Sequence, residues 1–137
     1  MEFLFSFSDL FIPHHRSLNF RALVLASMIA AKKNVSASDY AVITEIASEI
    51  YGKDIKRCNS LLKTTRDIVN KITTGERKLD NLLISIDKEL RSTPRYVKKV
   101  DFSHLRRLML ESDEEDAILQ RQVYEYMLNE VNQHTKA

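Results

Sequence analysis

Residues 17–51, SLNFRALVLASMIAAKKNVSASDYAVITEIASEIY, decide the fold. From Ser17 to Lys33 the residues Phe20, Leu23, Val24, Leu25, Met28 and Ile29 are apolar around most of a helix, the pattern of a bundle's buried centre. Asn34 and Val35 form a short joint. Ser36 followed by Asp39 has the spacing of a capping box: the hydroxyl accepts a bond from a first-turn N–H, and the acid accepts one from the cap's own N–H. A second helix therefore starts at Ser36, with Tyr40, Ile43, Ala47 and Ile50 along one face. Gly52 follows Tyr51 where a helix end turns through left-handed dihedrals that glycine adopts without strain.

Working outward, the same signals recur. A third helix is expected from about Asp54 to Thr73, with Ile55, Cys58, Leu62, Val69 and Ile72 inward, and Gly75 beyond its end. A fourth runs from about Leu79 to Leu90 through Leu82, Leu83 and Ile86. Pro94 suits the first position of a new element, since its missing N–H would be unpaired there anyway. Tyr96, Val97 and Val100 then form a separate turn or lead directly into a helix from Leu105 to Glu111. Ser112 and Glu115 repeat the capping-box spacing, opening a last helix with Ile118, Leu119, Val123, Tyr126, Met127 and Val131 inward. The early pair (Phe20 to Tyr51) and the late pair (Leu105 to Val131) share an outline of apolar helix, short joint and capped helix. The expected fold is all-α: one bundle of five to seven helices, with two related hairpins flanking a middle pair. Residues 1–13 form an aromatic segment packed on or extending from a single helical domain over 14–137.

Composition agrees. The chain has 137 residues, 44% hydrophobic and 29% charged, with two glycines and two prolines. All-β folds need turn residues every ten or so positions, and this chain does not supply them. The formal charge of +2 gives no overall field to draw the protein onto nucleic acid or anionic lipid. Cys58 has no second cysteine to pair with, which suits a reducing compartment and a cytoplasmic location. The apolar start, Met1 to Ile12, carries Glu2 where a signal peptide carries positive charge, and Asp9 interrupts it; it reads as part of the mature protein.

Several chemistries lack their residues. Phosphate-cradling loops need clustered glycines, and Gly52 and Gly75 stand far apart. Structural zinc held by nitrogen and sulfur is not expected from one cysteine and the dispersed His14, His15, His104 and His134. Cys58 is expected on a buried helix face as a small hydrophobe. No serine has a G-x-S-x-G context. Neither enzymatic activity nor a cofactor is expected.

Three surface features stand out. Asp113, Glu114, Glu115 and Asp116 either complement the dipole of the last helix or gather carboxylates for a divalent cation. Arg91, Arg95, Lys98, Lys99, Arg106 and Arg107, with Tyr96 and Phe102 among them, form either a solvated or acid-partner face or a nucleic-acid surface. Phe3, Phe5, Phe7 and Phe11, four of six phenylalanines, either pack over the core or offer an apolar patch to a partner, a second copy or a membrane surface. The patch has no Lys or Arg before Arg16, which argues against the membrane.

Ala31, Lys32, Lys33, Asn34, Val35 and Asp39 resemble the hairpin motif of the TerB family, the tellurite-resistance-type helical domains. There an apolar helix ends in Ala-Asp-Gly, followed by a variable residue, an aliphatic one and, four positions on, Glu. Lys32 and Lys33 stand here in place of the Asp and Gly, and Asp39 in place of the Glu. The resemblance implies an all-α bundle of two related hairpins, associated with stress response, membrane-linked complexes and metal binding. The expected function is a non-enzymatic protein–protein interaction or adaptor module. Its partner is another protein, or a second copy meeting it through the aromatic N-terminus. A divalent-cation-responsive regulator using Asp113 to Asp116 is the alternative, and a nucleic-acid binder using residues 91–107 a further one.

Overall fold

A computed structural model describes residues 7–135, and among them every regular element is helical. The helices are α1 (Arg16–Ala30), α2 (Ala37–Tyr51), α3 (Ile55–Thr73), α4 (Leu79–Ser92), α5 (Phe102–Arg107) and α6 (Glu114–Thr135). Short 3-10 turns occupy Ser8–Leu10 and Pro94–Lys99. This is the all-α bundle that the residue pattern predicts.

The centre is α1. From Leu18 to Ile29 every residue except Arg21 is buried, as an all-round apolar helix requires. It packs chiefly on α3 and then on α4, while α2 also packs on α3. The core adds Ile43, Ile46, Leu61, Ile68, Val69, Leu82, Ile86, Leu90, Val123 and Met127 from the surrounding helices. Asn19 ties the N-terminal segment to this centre: its side chain donates to Ile12 O at 2.8 Å and accepts from Ile12 N at 2.9 Å. Ser36 and Asp39 form the predicted capping box, and Gly52 ends α2 at a φ of 60°.

The structure differs from the sequence expectations in five places. The buried face of α3 is turned toward Leu61, Thr64, Thr65, Ile68 and Val69, leaving Ile55 65% exposed and Cys58 half-buried. Two threonines conceal this face from an apolar-residue count. Pro94–Lys99 is a separate turn, one of the two forms expected, but the helix after it covers Phe102–Arg107 rather than Leu105 to Glu111, because Asp101 caps it by accepting from Ser103 N at 2.9 Å. The cap of α6 is Asp113, which accepts from Asp116 N at 2.8 Å, whereas Ser112 donates to Gln120 at 2.7 Å. Ile118, expected inward, is 56% exposed. The two hairpins also differ in length, α1 having 15 residues and α5 only 6.

The Thr64 and Thr65 hydroxyls are buried and have no hydrogen-bond partner among the described residues. Burying a hydroxyl unpaired costs about 1–3 kcal/mol, so Thr64→Val is expected to raise stability by about 1 kcal/mol in urea denaturation. A lower midpoint would show that the hydroxyl is satisfied in solution.

Candidate metal centre

The predicted surface residues are largely engaged within the chain. Phe7 is buried beneath the Arg77 guanidinium, which lies 5.2 Å from its ring centroid. Arg77 also pairs with Asp9 at 3.1 Å, and this bond holds the Asp9 carboxyl below its ordinary range. Phe11 is half-buried against the core; Phe3 and Phe5 lie outside the described residues.

The basic stretch divides among separate partners. Arg91 pairs with Asp87 on α4, Arg107 with Glu49 on α2 at 3.0 Å, and Arg106 with the Tyr124 hydroxyl on α6 at 2.7 Å. Arg95 lies over the Tyr96 ring at 5.4 Å. Lys98 is exposed and Lys99 half-buried.

The acidic group holds the joint between α1 and α2. Asp116, 1% exposed, accepts from Lys33 N at 2.8 Å and Asn34 N at 3.3 Å. Asp113 accepts from Asn34 Nδ2 at 3.4 Å, and Glu115 from Lys33 Nζ at 2.6 Å. That last bond pushes the Lys33 ammonium above its ordinary range. Glu114 is exposed. Asp113, Glu115 and Asp116 thus meet protein donors.

A different set of ligand atoms converges between α4 and α6. Glu130 and His134 stand four residues apart on α6, one turn along the same face, and Asp87 faces them from α4. His134 Nε2 lies 3.5 Å from Asp87 Oδ1 and 3.3 Å from Glu130 Oε2. One ligand atom from each residue falls within 4.8 Å of the other two. Glu130 is only 8% exposed, and its Oε2, like His134 Nε2, is buried without a hydrogen-bond partner. Ligands about 2.0–2.2 Å from a tetrahedral ion stand about 3.3–3.6 Å apart, the spacing of His134 Nε2 from each of the two carboxylates. Arg91 bonds Asp87 Oδ2 and so directs Oδ1 toward the centre, the usual work of a residue behind a ligand. Tyr126 closes one side, donating from its hydroxyl to Leu83 O at 3.0 Å.

Electrostatics separates the two carboxyls. Burial pushes Glu130 up, and the neighbouring Asp87 carboxylate pushes it further. Burial also pushes Asp87 up, but its bonds with Arg91 and Glu130 outweigh that and hold it below its ordinary range. Burial, and then Glu130, raise the Tyr126 hydroxyl. A carboxyl raised by folding favours the folded state at low pH and loses that advantage as pH rises through its folded value. In chelator, Glu130→Gln is therefore expected to be more stable than the native chain at pH 8, with the gain vanishing near pH 4. Equal midpoints at both pH values in thermal melts would contradict the assignment.

This site matches neither pattern expected from the sequence, close-spaced nitrogen and sulfur ligands or the carboxylate run Asp113 to Asp116: it combines one imidazole with two carboxylates from two helices. Glu130 and His134 at helical spacing were the available signal; Asp87 had none.

No family model, curated protein or solved structure matches the chain. No helix among the described residues is long and apolar enough to cross a membrane.

Proposed function

We propose that the protein is a non-catalytic, divalent-metal-responsive helical module. A transition ion held by Asp87 Oδ1, Glu130 Oε2 and His134 Nε2 fastens α6 to α4, and the surface so fixed meets a protein partner. The observation that carries the reading is the meeting of two buried ligand atoms that make no hydrogen bond, Glu130 Oε2 and His134 Nε2, at 3.3 Å. An imidazole with two carboxylates suits Zn²⁺ and its first-row neighbours better than Mg²⁺, which favours oxygen and octahedral geometry. Three protein ligands leave a fourth tetrahedral position to water or to a partner's donor group. This is the cation-responsive alternative, with its centre at α4 and α6 in place of Asp113 to Asp116.

The test is titration of the chelator-stripped full chain with Zn²⁺, followed by calorimetry and thermal melting. At a free ion concentration of about 100 Kd, binding adds about 2.7 kcal/mol, a rise of roughly 10 °C in Tm for a domain of this size. His134→Ala is expected to weaken binding at least 100-fold, and Glu115→Ala to leave it unchanged. The absence of a saturable heat, or undiminished binding by His134→Ala, would end the proposal.

A further inference from the structure

Helix α6 has two working faces. Asp116, Gln120, Val123, Met127 and Glu130 are buried against the rest of the chain. On the opposite side Ile118, Arg121, Glu125, Leu128 and Asn132 are all exposed, in the alternating three- and four-residue spacing of a helix-pairing seam. Ile118 is 56% and Leu128 43% exposed, two large apolar side chains on the one face that α6 turns away from the core. Arg121 and Glu125 lie between them, and neither makes an ion pair with another described residue. Their order along the helix, cation before anion, is also the less favourable one for a bond within it.

We propose that this seam pairs antiparallel with the same seam of a second copy, about a twofold axis level with Val123. The seam is complementary to itself in this register. Ile118 meets Leu128 of the second copy, and Arg121 meets Glu125 of the second copy; both pairs centre on the same point of the helix, so the axis produces each twice. A twofold contact requires this self-complementarity. A parallel pairing would set Arg121 against Arg121 and Glu125 against Glu125, and like charges at that distance repel. Beside Leu128 an open groove of about 430 Å³, with Phe102, Val131 and Asn132 in its walls, receives Ile118 of the second copy. The ligand atoms of Asp87, Glu130 and His134 lie toward the buried side of α6, so pairing leaves them where they are. The contact goes beyond the metal reading and does not depend on it.

The experiment is light scattering behind size exclusion on the full chain in chelator. Concentrations run from about 1 µM to about 1 mM, the range in which small interfaces dissociate. Running it without metal lets this proposal and the metal reading fail separately. The native chain is expected to move from monomer to dimer across the series. Ile118→Glu with Leu128→Glu is expected to stay monomeric, with unchanged helicity and an unchanged melting midpoint at the lowest concentration. Arg121→Glu sets Glu against Glu at both ends and is expected to weaken the dimer at least tenfold, whereas Arg121→Glu with Glu125→Arg restores the native constant. The proposal is overturned by a native chain monomeric throughout, by a dimer indifferent to the Ile118 and Leu128 changes, or by a charge exchange that fails to restore association.

Discussion

Asp39→Ala is expected to lower the stability of the fold by about 3–5 kcal/mol, a large part of the roughly 5–15 kcal/mol available to a domain. Asp39 Oδ1 accepts from Lys32 Nζ at 2.8 Å, and the two side chains are only 5% and 6% exposed. Its Oδ2 accepts from Ser36 N at 2.9 Å, completing the cap of α2. Removing the carboxylate therefore leaves a buried ammonium without its counter-charge and opens a helix start at the same time. Removing both charges, Lys32→Met with Asp39→Ala, is expected to recover most of the loss, because the larger cost is the stranded cation rather than the missing attraction. Urea denaturation of the two variants decides the point. If the single variant lost less than about 1 kcal/mol, the pair would behave as a solvent-screened one.

Asp116→Ala is expected to cost about 3 kcal/mol in chelator, through the backbone amides of Lys33 and Asn34 that would lose their buried acceptor. Asp116→Asn keeps one carbonyl oxygen and is expected to lose about half as much. Amide exchange gives a local reading: in Asp116→Ala the protons of Lys33 and Asn34 should exchange much faster, while those in the middle of α3 follow global stability. If exchange at Lys33 and Asn34 stayed slow, another group would be holding the joint. The acidic group, read from sequence as a dipole complement or a cation site, has in Asp116 a third role, anchoring a loop across the bundle.

Lys32, just past the end of α1, folds its ammonium back onto Asp39 at the start of α2. The sequence shows both residues, but nothing in their spacing announces that they touch. The same holds for Gln120, a polar residue among apolar neighbours that is wholly buried. Its side-chain amide donates to Met28 O at 3.1 Å and Leu108 O at 3.2 Å. A glutamine that closes two helix ends from a third helix cannot be told from a surface glutamine by its neighbours in the chain.

What the sequence determined by itself was the local chemistry. The centrality of α1 follows from apolar residues all round it, and the start of α2 from Ser36 and Asp39. Gly52 and Pro94 mark breaks. Each of these depends on residues within about one helical turn of one another, where spacing alone fixes who can meet. Tertiary packing decided the rest. Docking against both α1 and α2 turned α3 onto Thr64 and Thr65 and left Ile55 in water. Docking of α6 beside α4 brought Asp87 to Glu130 and His134, and carried Asp116 to the joint at Lys33 and Asn34. Helical periodicity states which residues share a face but not which neighbour that face meets. A site built across two helices therefore exists only once the core between them has closed.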